Sequence, residues 1–131
     1  MPSDRERALD NAEVRLVEIV FPDHCNHLGT LFGGQALAWM DKAAFLAASR
    51  YSGATVVTAR SDRIDFAGSV KLGEIVEVRA AVRSVGRSSM TVKVKLLKEG
   101  SPGGPQVEAT SGEFVMVAVD SEGKPRAVTR T

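Results

Sequence analysis

Asp41 stands in the middle of a run that is otherwise nearly all apolar, from Ala36 to Ala48. A carboxylate in such a place has to be paired, hydrogen-bonded or kept neutral, because an unpaired buried charge is too costly to keep. Those are the circumstances in which a carboxylate serves as a general base or a nucleophile. They also fit a structural role, in which Asp41 caps a neighbouring segment or pairs with an arginine such as Arg60. Lys42 is no partner, since successive helical residues point about 100° apart. Gly33 and Gly34 precede the same run. Bare amides at a helix N-terminus attract anions or developing negative charge, so the pair reads either as an oxyanion site or as a tight loop-to-helix turn. Helix periodicity sets Asp41 about two turns beyond Gly34, close enough for one bound water or carbonyl to meet both.

The loop before the helix, Asp23-His-Cys-Asn-His-Leu-Gly29, is dense in polar and reactive side chains. A Cys25 nucleophile needs a base, and its sequence neighbour His24 is badly placed to be one. Asp23, His24, Cys25 and His27 offer metal-ligand chemistry without any recognised ligand spacing. The Asn26 amide can orient a water or polarise a carbonyl, and it can equally close an Asx-type turn before Gly29. Further on, Gly86-Arg87-Ser88-Ser89 offers a guanidinium and two hydroxyls to phosphate or amide groups, or a hairpin turn with a solvated arginine.

These residues need elements to hold them. Val14 to Val20 reads as a strand ended by Pro22, and Gln35 to Arg50 as the one helix, with Gly53 just past its end. That helix is apolar nearly all round, which calls for other structure to wrap it, and its alanines would let that structure come close. From Thr55 the apolar period becomes two, with Val56, Thr58, Ile64 and Phe66 at alternating positions. Ile75 to Val85 puts Val76, Val78, Ala80 and Val82 opposite Glu77, Arg79 and Arg83. Ser88 to Lys98 puts Met90, Val92, Val94 and Leu96 opposite Lys93 and Lys95, and Glu108 to Val119 aligns Phe114, Met116 and Ala118. Strand, loop, helix and then four strands joined by turns give an α+β fold, an antiparallel sheet with one helix on its apolar face.

At 131 residues the chain suits a single domain, with residues 1–12 a polar, charged tail. Seventeen Lys and Arg against sixteen Asp and Glu leave a net charge of +1, so no overall field recruits nucleic acid or an anionic membrane. The charges are nonetheless segregated. Met1 to Asp41 carries seven acids and three bases, and Arg60 to Lys98 nine bases and four acids, a stretch able to face a polyanion or to form a solvated sheet face. Cys25 is the only cysteine, and no signal peptide or apolar membrane span is visible, so the expectation is a soluble cytoplasmic protein.

Taken together, these motifs resemble the acyl-CoA thioester hydrolase family of the hotdog fold, from about Val14 to Val119. The resemblance is carried by Phe21-Pro-Asp-His-Cys-Asn-His-Leu-Gly-Thr-Leu-Phe-Gly-Gly, by Leu37-Ala-Trp-Met-Asp41 and by Val56-Val-Thr-Ala-Arg60. It continues in Asp65-Phe66, Val70-x-x-Gly73-Glu74 and Val85-Gly-Arg-Ser-Ser-Met90. It implies a five-stranded antiparallel sheet wrapped around one long central helix, and subunits that pair sheets edge to edge into homodimers, often three to a hexamer. It also implies hydrolysis of acyl-CoA to free acid and CoA at a dimer-interface site. On that resemblance Asp41 is the catalytic carboxylate and Asn26 its partner from the opposite subunit. Gly33 and Gly34 then polarise the thioester carbonyl, while Arg60, Arg87, Ser88 and Ser89 lie along the CoA path. No cofactor or metal is implied, CoA being part of the substrate. Ser69 and Glu74 depart from the residues common in the family, both at a turn. A binding or sensing protein that holds acyl-CoA without cleaving it is the alternative, and a ligand-free scaffold a third. Leu37, Trp39, Met40 and Phe45 are candidates to line an acyl pocket or to be core.

Overall fold

A computed structural model describes residues 13–129; the expectation of a tail over residues 1–12 lies outside them. The chain runs β1 (Val14–Ile19), a single 3-10 turn at Pro22–His24, helix α1 (Gly33–Ser52), β2 (Thr55–Phe66), β3 (Ile75–Val85), β4 (Ser89–Glu99) and β5 (Gln106–Val119). The strands form one antiparallel sheet in the order β1-β3-β4-β5-β2. This is the five-stranded sheet and single long helix expected of a hotdog fold. Helix α1 ends where Gly53 takes a left-handed conformation, φ 65°, and its N–H bonds the Ser49 carbonyl.

The period-two pattern of β3, β4 and β5 becomes the core. Val76, Val78, Val82, Met90, Val92, Val94, Leu96, Met116 and Ala118 are fully buried against α1. Ala43, Ala44, Ala47 and Ala48 are the helix side of that contact, also fully buried, and their small size lets the sheet come near. Full burial of a side chain such as Met or Val is worth roughly 1.5–3 kcal/mol, so this contact carries the fold. Gly112 in β5 gives room to Ile64 of β2, whose terminal methyl would have to move aside for a Cβ there.

Two expectations are corrected. Only β3, β4 and β5 follow one another as hairpin neighbours, whereas β2 pairs with β5 at the far edge and residues 67–74 carry the chain back across to β3, beside β1. Nor does the sheet account for the all-round apolarity of α1. It covers one side, and Gly34, Ala38, Lys42 and Phe45, which share one stripe of the helix, stay exposed, Phe45 at 43%. In β2 the alternation also breaks, with register shifts between Thr58 and Arg60 and between Asp62 and Asp65, and with Arg63 at φ 54°. Phe66 is consequently exposed, while Val56 is buried.

The outer face of the sheet is held by polar contacts. Glu77 Oε2 accepts from Gln106 Nε2 at 2.6 Å and from Arg79 Nη2 at 3.1 Å, and Arg79 Nη2 also donates to Gln106 Oε1 at 2.8 Å. The Gln106 amide first, then Arg79 and Arg15, hold the Glu77 carboxyl below the usual glutamate range against the opposing effect of burial. A depressed folded-state pKa stabilises the fold above the unfolded value, about 4.3, and that stabilisation is lost as pH falls through the folded value. Chemical denaturation between pH 7 and pH 3 should therefore show a steeper acid loss in the wild type than in Glu77→Gln. On the inner face, Met90→Ala should cost about 2–5 kcal/mol in urea unfolding, because the helix and sheet close only partly over the cavity.

Candidate active site

The site is built on the border between α1 and the edge strand β2. Register places Thr58 opposite Met116, and Met116 opposite Met90, so all three share the face turned toward the helix. There the Thr58 hydroxyl donates to Asp41 Oδ1 at 2.6 Å. Asp41 is half-buried, at the margin of the bare helical stripe, and its Oδ2 has no hydrogen bond among the described residues. Arg60 is not its counter-ion, for the Arg60 guanidinium bonds Asp62 Oδ2 at 2.8 Å. Sequence reasoning missed Thr58 as a partner. Its alternating position with Val56 signalled an inward side chain, but only the sheet register shows which helical residue it meets.

At the start of α1 the preceding residue, Phe32, supplies no side-chain cap, and the first turn holds no acid. Gln35 and Ala36 donate to the Phe32 carbonyl at 3.0 and 3.1 Å, which leaves the Gly33 and Gly34 amides without acceptors among the described residues. The Phe32 ring lies across Gly34, 2.6 Å from where a Cβ would stand, so a larger residue there would push the ring aside. The Phe66 ring flanks Gly33, 3.6 Å from where a Cβ would stand. Bare amides at a helix start, flanked by two phenyl rings, make a donor pair suited to developing negative charge.

The polar loop is a folded unit. Asn26 Oδ1 accepts from the Leu28 amide at 2.9 Å, the Thr30 amide at 3.2 Å and the Thr30 hydroxyl at 3.1 Å. Asn26 therefore closes the loop through its carbonyl oxygen, and its Nδ2 has no partner among the described residues. His24 Nδ1 accepts from the Phe21 amide at 3.0 Å, and its ring meets Trp39 edge-on with centroids 5.0 Å apart. Cys25 Sγ lies 3.5 Å from the Phe21 carbonyl, so neither His24 nor Cys25 is arranged as a nucleophile and base. Among the described residues no group of three or more His, Cys, Asp or Glu is placed to hold a metal ion.

The loop thus docks on the Trp39 side of α1. Trp39 and Asp41 are two residues apart, about 200° around the helix, so loop and carboxylate lie on opposite margins of the bare stripe. Ser89 stands opposite Val117, which stands opposite Val57, so the Gly86–Ser89 turn is level with Thr58 but two strands inward from β2. Arg87 is exposed there, and no hydrogen bond or ion pair joins Arg60, Arg87, Ser88 or Ser89 to Asp41. Of the candidate acyl-pocket residues, Trp39 and Met40 belong to the core, Leu37 is half-buried and Phe45 lies on the bare stripe.

Residues 28–104 match the thioesterase superfamily. The chain is 35% identical over 130 residues to an uncharacterised acyl-CoA thioester hydrolase of Bacillus subtilis, an overlap of 99% of this chain and 76% of the relative. The chain belongs to the acyl-CoA thioester hydrolases. An apo-hexameric acyl-CoA thioesterase superposes with a TM-score of 0.88 at 36% identity, over 93% of this chain and 78% of the other. An acyl-CoA hydrolase of Staphylococcus aureus, solved with butyryl coenzyme A, coenzyme A and coenzyme A disulfide, gives 0.88 at 34% identity, over 93% and 74%. Solved variants of that enzyme change one asparagine, one aspartate and one threonine to alanine. Those three are separated along their chain by the same intervals as Asn26, Asp41 and Thr58 in this hydrolase.

Asn26→Ala removes the acceptor shared by three donors. In hydrogen-exchange measurements the Leu28 and Thr30 amides should lose protection by about tenfold or more, while those of α1 keep theirs.

Proposed function

We propose that this protein hydrolyses acyl-CoA thioesters to a free carboxylic acid and CoA, in the cytoplasm, at a site completed by a second copy of the chain. The observation that carries the reading is Asp41, anchored at one carboxylate oxygen by Thr58 and open at the other, on the edge of an uncovered apolar helical stripe. A water on the free oxygen loses its proton to Asp41 as it attacks the thioester carbon. The carbonyl oxygen becomes an oxyanion, which the bare Gly33 and Gly34 amides suit. Collapse breaks the C–S bond and expels the CoA thiolate, a leaving group that needs no dedicated acid. The same geometry presents Asp41 to the carbonyl carbon as a nucleophile. Thr58 restricts the carboxylate to one orientation.

Sharing between copies is supported by the placement of Asn26 and Asp41 on opposite margins of the stripe. A two-fold partner laid over that stripe would bring its own loop toward Asp41. Arg60, Arg87, Ser88 and Ser89 would then follow the CoA moiety along the sheet, and three such dimers would make the hexamer. No cofactor enters this scheme. Among the described residues, no helix is long and apolar enough to cross a membrane.

Asp41→Asn should lower thiol release from acyl-CoA by at least about 100-fold, and retained turnover would refute the assignment. Thr58→Val should lower kcat by about tenfold or more with little change in KM, and Thr58→Ser should restore most of it. Co-expressing Asn26→Ala with Asp41→Asn chains tests the shared site. Random pairing leaves about a quarter of the sites intact if each draws one residue from each copy, and none if both come from one chain. Stoichiometric acyl-CoA binding without thiol release would instead identify a sensor.

A further inference from the structure

Past the end of β5 the chain doubles back. Asp120 makes the turn: its Oδ1 accepts from the Glu122 amide at 2.9 Å and the Lys124 amide at 3.0 Å, its own amide donates to the Lys124 carbonyl at 2.8 Å, and Gly123 takes φ 80°. Pro125 then stands opposite Val119 in an antiparallel bridge. Val119 pairs on its other edge with Thr55 of β2, so the returning segment lies along the edge of β5 that faces β4, in the lane β4 enters only at Ser89. There the Arg126 amide donates to the Ala118 carbonyl at 2.9 Å.

The return reaches the Gly86–Ser89 turn. That turn is closed by the Gly86 amide on the Ser89 carbonyl at 2.8 Å, and the carbonyls of its two central residues find donors far along the chain. The Ala118 amide bonds the Ser88 carbonyl at 2.9 Å, and the Val128 amide bonds the Arg87 carbonyl at 2.7 Å. Val128 is half-buried and packs against the core, so the second donor is itself anchored. Exposed turn tips are ordinarily among the most mobile parts of a fold, because few contacts hold them. This one is pinned at both central residues while the Arg87 side chain stays exposed. The hydrolytic scheme above gives residues 120–128 no task.

We propose that residues 120–128 form a strap that holds the Arg87 turn in place for the CoA moiety, with Asp120 and Val128 as its positioning residues. The proposal rests on the reading that Arg87 follows CoA. Neither positioning residue touches the substrate. A turn fixed before the ligand arrives has less backbone freedom to lose on binding, so the strap acts on affinity. The turn lies two strands inward from Thr58 and Asp41, and no hydrogen bond joins it to them, so the bond-breaking step is left alone. The signature of the strap is a rise in KM at constant kcat.

The test is steady-state hydrolysis of butyryl-CoA by the whole chain, with isothermal titration of CoA alongside. Val128→Pro removes the donor to the Arg87 carbonyl, and Asp120→Ala removes the acceptor that closes the return. Each should raise KM for butyryl-CoA and Kd for CoA by about fivefold or more, with kcat kept within about twofold. Asp120→Asn, which retains an acceptor oxygen, should recover most of the loss. Arg87→Ala should raise KM by itself, and Val128→Pro added to it should raise KM little further, because the strap works through that turn. Circular dichroism and gel filtration should report folded variants of wild-type size, and if Val128→Pro does not fold, Asp120→Ala with its Asn rescue decides the matter. A KM raised by Arg87→Ala and untouched by both strap variants overturns the strap and leaves the CoA path standing. A KM and Kd indifferent to Arg87→Ala overturn the CoA path, and the strap with it. Absence of thiol release would sink hydrolysis, while the CoA titrations would still decide the strap. Asp120→Ala lowering kcat as far as it raises KM, or breaking the assembly into smaller units, would make the segment a support of the sheet and overturn the proposal.

Discussion

A helix that is apolar on nearly every side, set against a sheet only one layer thick, leaves one stripe bare, and the candidate site lies at the margin of that stripe. The sheet buries Met40 and the alanines at 43, 44, 47 and 48, and the opposite stripe through Gly34, Ala38 and Phe45 remains bare. A helix apolar all round belongs in a core. One chain leaves that stripe without cover among the described residues. Asp41 sits where the buried side meets the bare one, so its solvation is set as much by what covers the stripe as by its own fold.

The Thr58–Asp41 hydrogen bond ties the edge strand to the helix at this border. β2 is an edge strand that follows α1 directly in the chain and joins the sheet through β5. Its register shifts beyond Thr58 re-aim the strand, so that Arg60 pairs with Asp62 along the edge and Phe66 turns toward Gly33. Carboxylate anchor and phenyl flank thus come from the two ends of one bent strand. The bends that spoil the regular alternation bring that strand against both ends of the site.

The two faces of the sheet divide the chemistry. Inward positions build the core and hold the carboxylate, and outward positions carry the charges, with Glu77, Arg79 and Gln106 knitting β3 to β5 over β4. A charge on the outer face is separated from Asp41 by the thickness of a packed sheet, so either face can change with little effect on the other.

Much was legible in the sequence because local rules governed it. The period of two in β3, β4 and β5, the single helix closed by Gly53, and the need to explain Asp41 all follow from residue type and spacing. Gly33 and Gly34 were legible as a bare helix start for the same reason, although the Phe32 ring lying across Gly34 was not. Tertiary structure alone decided the strand order that sends β2 to the far edge, the choice of Thr58 over Arg60 as partner to Asp41, and the return of Val128 to the Arg87 turn. Each of these depends on which strands lie side by side and in what register, a long-range choice made by the packing of whole faces and invisible to any single segment.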